Sequence, residues 1–150
     1  MNSDEPLLTS IVLPFEIAHH DRATSLWQRT PGVGLSAADE RTQIARFLER
    51  NPGLSFVVEL KGELVGTILC GHDGRRGLIH HLVVDAPLRR RGFGGRLLGA
   101  ALDGLRQQGI DKAHLLVFRS NEDGLAFWRR HSVERSELAL FSVTTDEAVR

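Results

Sequence analysis

The chain has 150 residues, and 19 Lys plus Arg stand against 19 Asp plus Glu, so its formal net charge is zero. That length fits a single domain, residues 1–150, with a sizeable core, and the charge balance argues against a dedicated nucleic-acid binder, whose footprint is strongly basic. One cysteine, Cys70, excludes an intrachain disulfide framework and fits a reducing cytoplasm; no apolar run approaches the about 18 residues of a membrane span, and the acidic, polar stretch from Met1 to Pro6 does not read as a signal peptide.

In chain order, Ile11 to Phe15 reads as a first strand. Asp21 opens a short helix through Trp27 that ends near Thr30-Pro31-Gly32. Ser36 and Asp39 open a second helix with Ile44, Phe47 and Leu48 on one face, and Asn51-Pro52-Gly53 ends it. Leu54 to Leu60 and Leu64 to Gly71 read as strands joined by a tight hairpin at Lys61-Gly62-Glu63. Asp73-Gly74-Arg75-Arg76-Gly77 forms the next turn and Leu78 to Val84 the central strand. Gly94 to Gln108 reads as a helix, with Leu97, Leu98, Ala101, Leu102 and Leu105 at helical spacing and Gly109 as its stop. Ala113 to Phe118 is a further strand, Asp123 to Arg130 a helix, and Leu138 to Val143 a last strand. This alternation predicts an α/β (α+β) chain whose mixed sheet is covered by helices.

The stretch from Val84 to Leu98 carries the strongest chemical signal. It reads as a strand end, a basic glycine-containing turn, and a helix start. Backbone N–H groups at a helix N-terminus favour an anion, because unpaired donors and the helix dipole act together. Gly92 and Gly94 remove Cβ atoms that would hold a phosphate away from the backbone, and Arg89, Arg90 and Arg91 add positive charge and bidentate donors. A P-loop is excluded because the glycines are followed by Arg96-Leu97 rather than Lys-Ser/Thr, and a dinucleotide fingerprint because Leu97 stands where a third small residue belongs. The competing interpretation is a solvated basic loop before an ordinary helix.

Arg89, Gly92 and Gly94 fit the pattern Arg/Gln-x-x-Gly-x-Gly, which resembles the acetyl-CoA pyrophosphate loop of the GNAT N-acetyltransferase superfamily. Downstream, Asn121, Gly124, Phe127 and Trp128 resemble that family's second motif, Asn-x-x-Ala-x-x-Phe-Tyr. The resemblance spans essentially the whole chain. It implies the GNAT fold: a mixed, mostly antiparallel sheet, helices on both faces, and a splay between two central strands. It further implies acetyl-CoA as cosubstrate with no metal, held by backbone groups of Leu82, Val83 and Val84 and by amides from Arg89 through Arg90, Arg91, Gly92, Phe93 and Gly94 to Gly95. Asn121, Phe127 and Trp128 would flank the pantetheine arm. A homodimer is compatible with the likeness.

An amine acceptor of pKa near 10.4 is neutral only about one time in a thousand at pH 7, a deficit of about 4–5 kcal/mol that a general base reduces. Ile79-His80-His81-Leu82 puts two histidines on the central strand, on opposite faces. His80, sharing its face with Leu82 and Val84, is the first catalytic candidate, and it aligns with a catalytic histidine of the serotonin acetyltransferases; His81 is the second. Either is otherwise a structural histidine. His72 and Asp73 are weaker candidates, with Asp73 equally suited to binding its own turn. Cys70, in an apolar strand, reads as buried and inert rather than as the nucleophile of an acyl-cysteine route, and Arg75-Arg76 as a solvated hairpin tip or, alternatively, a contact for an acidic group on the substrate.

The chain departs from the family pattern in containing no tyrosine. Trp128 occupies the position of the usual general acid, and its indole N–H is not a usable acid near neutral pH. Ser132-Val133 stands where Gly-Phe is usual. The acceptor region by likeness, Trp27 to Leu35, carries one cation and no carboxylate, whereas a polyamine site would want several. The expectation is therefore acetyl transfer to the primary amine of a small molecule or peptide in a ternary complex, with an acetyl-CoA-binding sensor domain as the alternative, and with neither nucleic acid nor membrane as partner.

Overall fold

The computed structural model describes residues 9–146; the stretch from Met1 to Pro6 lies outside them. The chain forms two compact units, one ending at Phe118 and one beginning at Arg119.

The first unit is built on a five-stranded sheet in sequential order: β1 (Ile11–Pro14), β2 (Phe56–Leu60), β3 (Glu63–His72), β4 (Gly77–Val84) and β5 (Ala113–Leu115). The β1–β2, β2–β3 and β3–β4 pairs are antiparallel, and β5 joins β4 in parallel. Lys61 at φ 53° and Gly62 at φ 80° give the two-residue turn whose twist suits a hairpin. The Asp73 carboxylate accepts from the amides of Arg75 and Arg76 at 2.7 and 2.8 Å and closes the β3–β4 turn.

Helices α1 (His20–Gln28), α2 (Arg41–Arg50) and α3 (Phe93–Gln107) complete this unit. α1 buries His20, Ala23, Leu26 and Trp27, a three-to-four spacing that puts one stripe on the sheet. Trp27 packs with Phe15, Ile44, Val57, Leu64, Leu69 and Val83 in one core cluster. α3 lies against the other face: a Cβ on Gly66 would stand 3.1 Å from Leu97 and 3.6 Å from Val58, whereas Thr67, the next residue, bonds Trp27. Helices thus cover both faces, as expected. α3 ends where Gly109, at φ 80°, lets the Ile110 amide return to the Leu105 carbonyl at 3.0 Å.

Three expectations need correction. The second helix does not begin at Ser36. Ser36 instead caps a 3-10 turn, Ala37–Asp39, accepting from the Ala38 amide while Asp39 accepts from the Ser36 amide, and α2 follows from Arg41. The strand expected at Ala113 to Phe118 stops at Leu115, because its ladder with β4 ends at Ile79↔Leu115. Leu138 to Val143 forms no strand and is exposed, Phe141 to 89%. An apolar run forms a strand only where a neighbour accepts the backbone ladder.

In the second unit, α4 (Glu122–His131) is capped by the Asn121 carboxamide oxygen, which accepts from the Gly124 amide at 3.0 Å. An alanine Cβ at 124 would come within 2.5 Å of the Asn121 amide nitrogen, so glycine gives the cap room. In place of a glycine stop, the Ser132 hydroxyl donates to the Trp128 carbonyl at 2.6 Å.

Candidate active site

β4 carries the site. On β3, Thr67 pairs with Val83 and Leu69 with His80, so two steps on β3 face three on β4. The extra residue makes a bulge, and His81 sits in it at φ 47°, a conformation that costs a non-glycine residue free energy. Two bonds hold it there. The Trp27 indole donates to the Thr67 hydroxyl at 2.9 Å, and that hydroxyl donates to the His81 carbonyl at 2.8 Å.

The bulge overturns the expected alternation. His80 and His81 do not lie on opposite faces: His80 meets the Phe47 ring edge-on at 6.1 Å, and His81 stacks at 4.7 Å from Trp27, both on the side of α1 and α2. Nor does His80 share a face with Val84, which pairs with Gly66 on the α3 side. Val83, opposite Thr67, packs instead in the core with Trp27. Burial pushes the His80 imidazole below the usual histidine range; the neighbouring His81 acts in the same direction and Asp39 opposes.

His81 Nε2 lies 2.7 Å from an Asp39 carboxylate oxygen, with both side chains mostly buried. The other Asp39 oxygen accepts from the Ser36 amide at 2.9 Å, and the Asp39 carbonyl accepts from His20 Nε2 at 2.7 Å. Asp39 is thus gripped by its own turn, by α1 and by β4. Sequence reasoning assigned it only to a helix start; nothing in local spacing points to a partner 42 residues away.

Beyond Ile79, β4 has no ladder to β5, so Leu82, Val83 and Val84 have an edge without a paired strand on that side. The Val84 carbonyl accepts from the Arg89 guanidinium Nε at 3.2 Å, which folds the basic turn back on the strand end. The Arg89 amide bonds the Ala86 carbonyl, so the amide run available to an anion starts after Arg89. Arg90 at φ 63° and Gly92 at φ 88° curl the loop into α3. No side chain caps α3, and its first internal bond runs from the Arg96 amide to the Gly92 carbonyl, so the amides of Phe93, Gly94 and Gly95 point out of the helix end. A Cβ at Gly95 would meet nothing within 4 Å. The Phe93 side chain is buried at 1% exposure and anchors the loop, leaving only its backbone to a ligand. These features fit a pyrophosphate: outward amides, a left-handed glycine, and exposed Arg90 and Arg91.

The loop after α1 borders the same side of the first unit. Gly34 lies so close to the Phe118 ring that a Cβ would stand 2.7 Å from it. Arg29, the one cation of that loop, pairs with Asp85 at 3.2 Å. The weaker candidates have structural partners: His72 accepts from the Gly74 amide and bonds Gln108, Asp73 closes its turn, and Arg76 pairs with Asp111. Cys70 is fully buried, and burial pushes its thiol up to about 11. An open groove of about 460 Å³ at the C-terminal end of α3, lined by Leu102, Leu105, Ile110 and Asp111, includes neither candidate histidine nor any amide of the α3 N-terminus. No helix among the described residues is long and apolar enough to cross a membrane.

Residues 20–132 match the family model described as the acetyltransferase (GNAT) family. An acetyltransferase of Photorhabdus laumondii is 35% identical over 106 residues, covering 68% of this chain and 71% of the relative. Two solved structures share the fold. An aminoglycoside acetyltransferase from an uncultured soil metagenomic sample, in complex with sisomicin, superposes with a TM-score of 0.75 at 15% identity over 95% of this chain and 100% of the other. The PaiA N-acetyltransferase of Thermoplasma acidophilum, in complex with coenzyme A, gives 0.69 at 16% identity over 81% and 87%.

Proposed function

The chain belongs to the GNAT acetyltransferase family, and from that premise we propose that it transfers the acetyl group of acetyl-CoA to the primary amine of a small molecule or peptide by direct attack in a ternary complex. The observation that carries this is the junction of β4 with α3, where uncapped helix amides and exposed arginines follow a strand whose far edge is unpaired. The α3 amides and Arg90–Arg91 bind the pyrophosphate. Each charge-assisted bond contributes about 1.5–3 kcal/mol, so a few suffice for micromolar affinity.

The edge of β4 at Leu82–Val84 supplies backbone donors to the thioester oxygen, which gains negative charge as the amine attacks. His80 or His81 removes the amine proton, and holding both reactants supplies the remaining advantage as proximity. With no tyrosine in the chain, water protonates the leaving thiolate, whose pKa near 8.5 makes that transfer easy. The absence of carboxylates from Trp27 to Leu35 favours a mono-amine over a polyamine.

Thermal melting with acetyl-CoA, CoA and ATP tests the binding half. At 100 times Kd, each CoA species stabilises by about 2.7 kcal/mol, and ATP leaves the melting temperature unchanged. CoA release that requires an added primary amine tests the chemistry. Equal shifts with all three ligands, or none, refute the assignment; CoA-specific binding without turnover on any amine favours a sensor.

A further inference from the structure

We infer that Asp39 is the positioning residue for His81 as general base: its carboxylate fixes the imidazole with Nε2–H bound and Nδ1 open to take the proton of the acceptor amine. The inference rests on the acetyltransferase assignment above and extends it from a pair of candidate histidines to one ring, one nitrogen and a previously unassigned carboxylate.

Four observations carry it. An ionised carboxylate only accepts, so at 2.7 Å from Asp39 the His81 Nε2 must hold the ring proton, and Nδ1 holds the lone pair. Nδ1 has no hydrogen-bond partner among the described residues and is not sealed from solvent, since the one buried side-chain nitrogen among them without a hydrogen bond is His20 Nδ1. The ring cannot swing away, because Trp27 covers it at 4.7 Å and the Thr67 hydroxyl holds its backbone in the bulge. Finally, Asp39 is itself immobilised by the Ser36 amide and His20. The titratable groups around His81 are Asp39 and, further off, His80 on β4 and His20 on α1. His80 is the poorer base: no carboxylate among the described residues hydrogen-bonds it, and its ring is held edge-on to Phe47.

The step balances without any further reactant. His81 Nδ1 takes one proton from the ammonium form of the acceptor. The freed lone pair attacks the thioester carbon, and the C–S bond breaks with its electron pair going to sulfur. The second nitrogen proton, lost as the amide forms, passes through water to the thiolate. The products are the amide, the CoA thiol and a His81 imidazolium, which returns its proton to solvent.

A clamp that merely pins the Ala37–Asp39 turn to β4 would fix the same tautomer, and its loss would lower stability while leaving kcat unchanged, so kcat separates the two roles. The test therefore compares wild type, Asp39→Asn, Asp39→Ala and His81→Gln, each checked for acetyl-CoA-induced stabilisation. Nitrogen-detected NMR of the imidazole gives the tautomer in the free protein, and steady-state kinetics with the best amine from a panel of primary amines and peptide N-termini gives kcat and KM. In wild type His81 carries its proton on Nε2. Asp39→Asn has one accepting oxygen where Asp39 uses two, so with that oxygen on the Ser36 amide its NH2 faces Nε2 and moves the ring proton to Nδ1, whereas Asp39→Ala mixes the tautomers; both, like His81→Gln, lose kcat by about 100-fold. KM for acetyl-CoA stays within about twofold throughout. A wild-type ring protonated on Nδ1, or wild-type kcat in the Asp39 variants or in His81→Gln, overturns the inference while acetyl transfer stands. A wild type that turns over no amine in the panel overturns both.

Discussion

The indole N–H of Trp27 on α1 donates to the Thr67 hydroxyl on β3, 40 residues away, and that hydroxyl passes a second bond to the carbonyl of His81. All three groups lie between the first helices and the sheet, where an unpaired donor is costly. The Thr67 hydroxyl is therefore a two-way connector: it satisfies a fully buried indole and holds the bulge that turns His81 out of the regular ladder.

Thr67→Val preserves shape but removes both bonds at once. It strands the Trp27 N–H and releases the His81 carbonyl, and the expected cost is about 1–3 kcal/mol. Urea unfolding should show a lower midpoint with an unchanged slope. A midpoint equal to wild type would mean that water replaces the hydroxyl and that the bulge needs no such support.

Two glycines in α3 give opposite signs for the same substitution. At Gly95 a Cβ meets nothing within 4 Å, so Gly95→Ala gains about 0.5–1 kcal/mol from reduced chain entropy. At Gly104 the Cβ would stand 2.6 Å from the Gly53 carbonyl oxygen and 2.9 Å from Leu54. Backbone cannot yield cheaply there, so Gly104→Ala loses about 1–3 kcal/mol despite alanine's better helix propensity. Melting temperatures of the two variants should fall on either side of wild type.

The Cys70 thiol, fully buried and pushed up to about 11, holds no thiolate at pH 8. A chromogenic disulfide reagent should leave the native protein untouched at that pH and titrate one equivalent in urea. Rapid native labelling would place the thiol at the surface and reopen an acyl-cysteine route.

His80 makes stability depend on pH in a stated direction. Its folded value is depressed, chiefly by burial, from the unfolded value of 6.5. Between the two values the unfolded chain binds more protons, so stability falls as pH falls. The contribution is fully present above pH 6.5 and is lost as pH drops through the folded value. His80→Leu removes this source of slope, so the difference between wild-type and variant unfolding free energies should change between pH 7 and pH 5. Parallel curves would show that the ring is solvated.

Much of the frame was legible locally. Leu97, Leu98, Ala101 and Leu105 mark the buried stripe of α3, and Gly109 its stop, because helix periodicity and left-handed glycine are properties of a few adjacent residues. Asp73 and Lys61-Gly62 announced their turns for the same reason. The strand expected at Leu138 to Val143 failed because a local apolar run carries no information about whether a partner edge exists.

What the sequence by itself determined is the glycine-containing turn into α3 at Gly92–Gly95, the family it belongs to, and the absence of a tyrosine acid. Each of these is written in contiguous residues or in composition. What only the tertiary structure decided is which side of β4 its two histidines occupy. Period-two alternation assumes an unbroken ladder, and the bulge at His81 breaks it, bringing His80 and His81 to one face. Asp39 then meets His81 across 42 residues, a contact created by packing α1, the Ala37–Asp39 turn and the sheet together, and one that no local spacing encodes.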